Sequence, residues 1–217
     1  MLQFYYHPIS GNARRVWIAL LEKQIPFEAI VLKLNGDQFQ PEFIAINPFH
    51  HVPVIIDDGF EVVESLAILD YLEAKYPIPS LMPQEAKAVA TVRMVELVTI
   101  NELVPATVPL MQQMVQLPVA PEKIEAAQQQ IGKVLDFFEH KLSDHLYFVG
   151  DNLTLADIVA GNSSFFLSFM DISLDSYPKV KTWLEQLMQR ESFIKTAPSS
   201  EDIEAAMPLV KRQLEKL

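Results

Sequence analysis

The sequence contains no cysteine. That absence excludes disulfides, thiolate metal sites and a protein thiol nucleophile. Positive charge is also in short supply: 17 Lys and Arg stand against 28 Asp and Glu, for a net charge of −11. The deficit is spread along the chain, with 5 basic and 10 acidic side chains in residues 1–76 and 12 and 18 in residues 77–217. No basic face is implied, so nucleic acid is not expected as a partner. An anionic ligand would need local positive groups to overcome the general field. A long hydrophobic run is missing too. The longest uncharged stretch, Leu103–Pro121, holds four prolines and several glutamines, which argues against a membrane span. The first residues run straight into strand-like sequence without the charged-then-apolar pattern of a secretory signal. A soluble cytoplasmic protein is therefore expected, with no repeats and no low-complexity tracts.

What is present is apolar mass. Half the residues are hydrophobic, with 13 Phe and 8 Met, enough for one large domain or two smaller ones. Leu2–Tyr6 reads as a strand. Ser10-Gly11-Asn12 supplies helix-start residues ahead of an apolar helical pattern at Val16, Ile18, Ala19, Leu20 and Leu21. Phe27–Leu32 is a second strand after Pro26, and a strand–helix–strand opening predicts a parallel pair. A short helix around Pro41–Ile46 leads to Val54-Ile55-Ile56, a turn at Asp58-Gly59 and another short strand, which together read as a hairpin. A helix over Ser65–Tyr76 sets Ile68, Leu69 and Leu72 on one face. The order over residues 1–76 is β-α-β-α-β-β-α. Pro77, Pro79 and Pro83 mark a linker, and beyond it only helices are read, at about 84–116, 121–143, 154–170 and 178–190 and again toward the C-terminus. Pro105 and Pro109 must kink or interrupt the first of these.

One feature of the helical half is sharp. In Gly150-Asp151-Asn152-Leu153-Thr154-Leu155-Ala156-Asp157, Thr154 can cap a helix and Asp157 can reach back to its backbone. Leu153 is placed to staple onto Ile158. The role is structural, and Asp157→Ala is expected to cost roughly 1–2 kcal/mol.

The most informative stretch is Asn47-Pro48-Phe49-His50-His51-Val52-Pro53, followed by Val62-Val63-Glu64-Ser65. A proline at a strand's entrance cannot donate to the ladder. One good reason for it is a cis bond that turns the preceding backbone outward to meet a ligand. Together with Tyr5-Tyr6-His7-Pro8-Ile9-Ser10-Gly11-Asn12-Ala13-Arg14-Arg15-Val16, these segments resemble the glutathione S-transferase superfamily, and its serine-type theta, delta and phi members in particular. The resemblance covers nearly the whole chain and is strongest over residues 1–76 and 147–160. It implies a thioredoxin-like α/β domain at 1–76, a linker at 77–86 and an all-α domain at 87–217 that forms the electrophile pocket. It also implies a homodimer that conjugates glutathione, as co-substrate, to small apolar electrophiles in detoxification. The cysteine-based branches of the superfamily are excluded, and the Ser-Ser-Cys opening of maleylacetoacetate isomerases is absent.

Ser10 sits where serine-type relatives place the hydroxyl that hydrogen-bonds the glutathione sulfur. A free thiol has a pKa near ~8.5, and lowering it by two units takes about 2.7 kcal/mol of selective stabilisation. A helix N-terminus plus one charge-assisted hydrogen bond can supply that. The plain alternative is that Ser10 only caps a helix. Tyr5 is a second candidate, or a packing aromatic, because the tyrosine of tyrosine-type classes aligns with Phe4. Asn12 is a third, matching a Thr-Pro-Asn arrangement in some bacterial relatives. His7 reads as a loop residue rather than a base. By the same resemblance, Val52 before Pro53 offers backbone groups to the cysteinyl part of glutathione, and Glu64 and Ser65 hold the γ-glutamyl end, although a Glu-Ser pair can also be capping alone. Leu66 departs from the pattern, since several serine-type relatives carry Arg there. His50 and His51 fall where relatives bind the glycyl carboxylate, or are a solvated loop pair; neighbours on a strand face opposite sides, so no metal site is read. Phe49 is either a hydrophobic key for a partner subunit or core. Met94, Leu97, Asn101, Val104, Met111 and Met114 either line an adaptable electrophile pocket or are core. The rival functions are other glutathione chemistry (peroxidase, dehalogenase or disulfide reductase) and a non-catalytic binding scaffold on the same fold.

Overall fold

The structure, a computed structural model, describes residues 1–216. It divides into two compact units, one of Met1–Leu81 with Glu191–Ile203 and the other of Met82–Arg190 with the chain from Glu204 onward.

In the first unit β1 (Leu2–Tyr6), α1 (Gly11–Glu22), β2 (Phe27–Val31), a 3-10 turn (Asp37–Phe39), α2 (Pro41–Ile46), β3 (Val54–Asp57), β4 (Phe60–Val63) and α3 (Ser65–Lys75) follow the order read from the sequence. The sheet order is β2-β1-β3-β4. β1 and β2 are parallel, while β3 runs antiparallel to both β1 and β4. Alternation along β1 buries Leu2, Phe4 and Tyr6, with the Phe4 and Tyr6 rings stacked 4.9 Å apart. Tyr5 points the other way, into a cluster of Leu32, Phe43, Val52 and Val54. The β3–β4 turn carries positive φ at Asp58 (52°) and Gly59 (80°), the conformation an Asp-Gly hairpin turn requires. Just before it, Asp57 accepts hydrogen bonds from the hydroxyls of Tyr71 (3.1 Å) and Tyr76 (2.8 Å) and pairs with Lys75 at 2.8 Å. Burial alone would raise the Asp57 carboxyl, but these donors outweigh it and hold the group below its ordinary value. The Tyr76 hydroxyl is pushed up to about 12, by burial first and then by the Asp57 charge.

The second unit is helical: α4 (Ala86–Val98), α5 (Val104–Met114), α6 (Pro121–Leu142), α7 (Leu155–Ser164), a 3-10 segment (Phe165–Met170) and α8 (Pro178–Met188). Thr99–Leu103 is a π turn that joins α4 to α5 without a break, and the Val104 N–H bonds the Thr99 carbonyl five residues back. Pro105 follows at once. A proline inside a helix removes a hydrogen bond and crowds the preceding turn, and the wider π turn absorbs both effects. The joined helix Ala86–Met114 is 29 residues long, and its best window has a mean hydropathy of 1.3. By length and composition it is long and apolar enough to cross a membrane, although Arg93, Glu96 and Glu102 interrupt its sequence with charge. One face of it packs against α6 and α7, and it carries a buried Glu96 paired with Arg93 at 2.8 Å.

The Thr154–Asp157 box forms, but Asp157 does more than cap. It is fully buried and accepts from the Thr154 N–H (2.8 Å), the Thr154 hydroxyl (2.8 Å), the Phe148 N–H (3.1 Å) and Trp183 Nε1 (3.0 Å). Burial pushes this carboxyl up, and the four donors oppose that.

The helical domain read as 87–217 needs a correction. α9 (Glu191–Thr196) and the start of α10 (Ser200–Leu214) belong to the first unit. Arg14 of α1, 2% exposed, donates to the Phe193 carbonyl (3.1 Å) and to Thr196 Oγ1 (3.3 Å), and its guanidinium lies over the Phe193 ring. Burial lowers the Arg14 pKa to about 10. Ser192 adds a hydrogen bond to Glu22 at the end of α1.

Candidate functional site

The strand register brings the separate sequence motifs to one end of the sheet. Val54 is the first residue of β3, and it pairs with Tyr5 near the end of β1 and with Val63 at the end of β4. The loop leaving β1 toward Ser10, the Val52-Pro53 entry to β3 and the Glu64-Ser65 exit from β4 therefore all emerge there. The Val52–Pro53 peptide is cis.

Ser10 is the N-cap of α1. Its Oγ accepts from the Ala13 N–H at 3.2 Å. A hydroxyl has two acceptor lone pairs and one proton, so capping leaves its O–H free to donate elsewhere. The capping role and a thiolate-stabilising role are thus compatible rather than rival. Asn12 is exposed in the first turn of α1. Tyr5 is half-buried, with its ring 6.1 Å from that of Phe43, a packing position. In the intervening loop the His7 Nδ1 accepts from the Ile9 N–H at 3.2 Å. Burial lowers the His7 pKa, against a smaller opposing effect of Asp202. A ring with one nitrogen engaged by the backbone fits the loop reading.

Glu64 has φ 67° and ψ 117°, a conformation costly for a residue with a side chain, on the order of 1–3 kcal/mol. Its carbonyl accepts from the Ile68 N–H at 2.9 Å, which starts α3, while its side chain is exposed. Ser65 is buried, and its Oγ accepts from Arg15 Nη1 of α1 at 3.4 Å. Sequence reasoning passed over Arg15. The signal was two adjacent arginines inside an otherwise apolar helical pattern.

His50 also has positive φ (60°); its ring lies 5.1 Å from that of Phe39, tilted by 56°, with Nδ1 3.2 Å from the Gln38 carbonyl. His51 is exposed. The turn holding both was organised by a residue not singled out in the sequence, Asn47. It is 2% exposed, donates Nδ2–H to the His51 carbonyl (2.9 Å) and accepts from the Phe49 N–H (3.0 Å). Phe49 is 60% exposed, which overturns the core reading of that ring. Met94, Leu97, Asn101, Val104 and Met114 are likewise exposed on the α4–α5 helix, and only Met111 is half-buried, so this stripe is not plain core. Among the described residues, no group of three or more His, Asp or Glu side chains is gathered to hold a metal ion.

Comparison with known proteins gives consistent matches. The model of the glutathione S-transferase N-terminal domain matches residues 4–85, and that of the C-terminal domain matches residues 69–191. The chain is 32% identical over 222 residues to glutathione S-transferase 3 of Zea mays, covering 96% of this chain and 95% of that one. It is 31% identical over 191 residues to the maleylacetoacetate isomerase of Rattus norvegicus, covering 85% and 86%. Among solved structures, glutathione S-transferase-I bound with lactoylglutathione superposes with a TM-score of 0.79 at 28% identity, covering 90% of this chain and 98% of that one.

Proposed function

Because the chain belongs to the glutathione S-transferase family, we propose that it binds glutathione at the end of the sheet where Ser10, Val52-Pro53 and Glu64-Ser65 meet, and conjugates it to small apolar electrophiles. The observation that carries this reading is the register Tyr5–Val54–Val63, which gathers three distant segments at one place. Ser10 donates its free O–H to the thiolate at the N-terminus of α1, where backbone N–H groups add to the stabilisation. A thiolate held this way attacks without a covalent enzyme intermediate; the contribution of the protein is charge stabilisation and proximity. Val52 offers its backbone to the cysteinyl part, Glu64 and Ser65 take the γ-glutamyl end, and His50 and His51 take the glycyl carboxylate. Asn12 and Tyr5 are the alternative thiol contacts, and the packing of Tyr5 favours it least. The exposed, methionine-rich stripe on α4–α5 suits varied apolar electrophiles. An exposed Phe49 suits insertion into a second copy, so a homodimer is proposed, acting in detoxification in the cytoplasm.

A second reading is favoured by the match to maleylacetoacetate isomerase: glutathione adds to a double bond and is released after rotation. The absence of cysteine and of the Ser-Ser-Cys opening counts against it. A panel of chlorinated aromatics, isothiocyanates, hydroperoxides and cis-alkene diacids, with glutathione followed by mass balance, tests both. Conjugation consumes one glutathione per product, whereas isomerisation consumes none. No turnover with any member, despite glutathione binding, would sink both in favour of a binding scaffold.

A further inference from the structure

Four residues, His7 to Ser10, join β1 to α1, and Pro8 among them has no N–H to give. The two amides that follow Pro8 both fold back onto His7. The Ser10 N–H donates to the His7 carbonyl at 3.0 Å, which closes a four-residue turn from His7 to Ser10. The Ile9 N–H donates to His7 Nδ1 at 3.2 Å. Nδ1 lies at the same reach from the backbone as the side-chain oxygen of an asparagine, so the ring takes the part that Asn or Asp plays in an Asx-turn. Pro8 presets the backbone at the second position of that turn. Ser10 is thus held from both sides: its N–H by His7, its carbonyl by the Arg14 N–H (2.8 Å) and its Oγ by the Ala13 N–H (3.2 Å).

We infer that His7 is a positioning residue for the thiolate contact, fixing Ser10 through the turn that its ring and carbonyl close. The inference rests on the reading of Ser10 as the group that donates to the thiolate. The Ser10 O–H serves a sulfur only if it points to where the sulfur sits, and a shift of about 1 Å in a positioning group can cost up to about a hundredfold in rate. The helix fixes one side of Ser10, and the His7 turn fixes the other. The turn needs an unprotonated Nδ1, with the ring proton on Nε2. Burial of His7 favours this neutral ring, and the Asp202 carboxylate of α10 is the charge that opposes it.

The test measures the pKa of the bound glutathione thiol in the full chain, by its ultraviolet absorbance, beside kcat and KM for glutathione with a chlorinated aromatic. His7→Leu keeps apolar bulk and removes the acceptor. Its bound thiol should titrate about one unit higher than in wild type. Below both values that is an about tenfold smaller thiolate fraction, so kcat should fall about tenfold while KM for glutathione stays within about twofold. His7→Asn restores an acceptor at the same reach and should bring kcat back to within about twofold of wild type. His7→Gln, whose oxygen lies one bond too far for the turn, should behave as His7→Leu and supplies the reading if the leucine variant does not fold. Adding His7→Leu to Ser10→Ala should deepen the defect of that variant by less than about twofold, since a residue acting through Ser10 has nothing left to position. A folded His7→Leu or His7→Gln protein with the wild-type thiol pKa overturns the inference, as does a His7→Asn protein as impaired as His7→Leu or a full additional loss in the double variant. Wild type that binds glutathione without shifting its thiol would instead overturn the proposed function.

Discussion

Trp183 donates its indole Nε1–H to Asp157 Oδ1 over 3.0 Å, a bond between residues 26 apart in sequence that ties α8 to the N-terminus of α7. With the Phe148 N–H on the same oxygen, it turns a helix-capping residue into the polar centre of an otherwise apolar core. Asp157→Ala would leave the Phe148, Thr154 and Trp183 donors buried without an acceptor. The predicted cost is about 3–5 kcal/mol, above the capping estimate made from sequence. Thr154→Ala should cost only about 1 kcal/mol. Chemical denaturation followed by tryptophan fluorescence measures both, and equal small losses would mean that the network adds nothing to the cap.

Arg14 fastens α9 to α1 through the Phe193 carbonyl and Thr196. Arg14→Ala should raise amide exchange across Glu191–Thr196 by about tenfold or more while leaving β1 and β3 protected. Unchanged exchange in α9 would show that its apolar contacts alone hold it.

Asp57 has a depressed pKa in the folded state, so its contribution to stability is present above the unfolded value and is lost as pH falls through the folded one. Wild type should lose stability on acidification below about pH 4. Asp57→Asn should be less stable than wild type at neutral pH, and the gap between them should close in acid. A gap that stays constant from neutral to acid would contradict the role given to Lys75, Tyr76 and Tyr71.

Ser10→Ala should lower conjugation by at least about tenfold, through loss of the hydrogen bond to the thiolate, while loss of the cap costs about 1 kcal/mol of stability. Tyr5→Phe should be near wild type. Full turnover in Ser10→Ala would pass the activating role to Asn12, with Asn12→Ala as the next comparison.

Much of the first unit was legible because its signals are local. A short aromatic and apolar run marked β1, Asp58-Gly59 marked the hairpin, and Pro26 and Pro41 bounded β2 and α2. The π turn was not legible, since Pro105 announces a disturbance without saying how the backbone absorbs it. The partners of buried polar residues were hidden for a different reason. Arg14, Arg15 and Asp157 act across separations that a linear pattern does not encode, and a hydrophobic period treats an arginine on the apolar face of a helix as noise. The same holds for α9, whose place in the first unit rests on contacts with α1 some 170 to 182 residues away in sequence. The site motifs at Ser10, Val52-Pro53 and Glu64-Ser65 stood out individually. It took the pairing of Val54 with Tyr5 and Val63 to bring them to one end of the sheet.

A thiolate site at the N-terminus of α1 is read out by a pH titration of glutathione bound to the wild-type protein, followed by thiolate absorbance in the ultraviolet. The bound thiol should titrate roughly two units below the ~8.5 of a free thiol, returning toward that value in Ser10→Ala. Bound glutathione that titrates at the free value would contradict it.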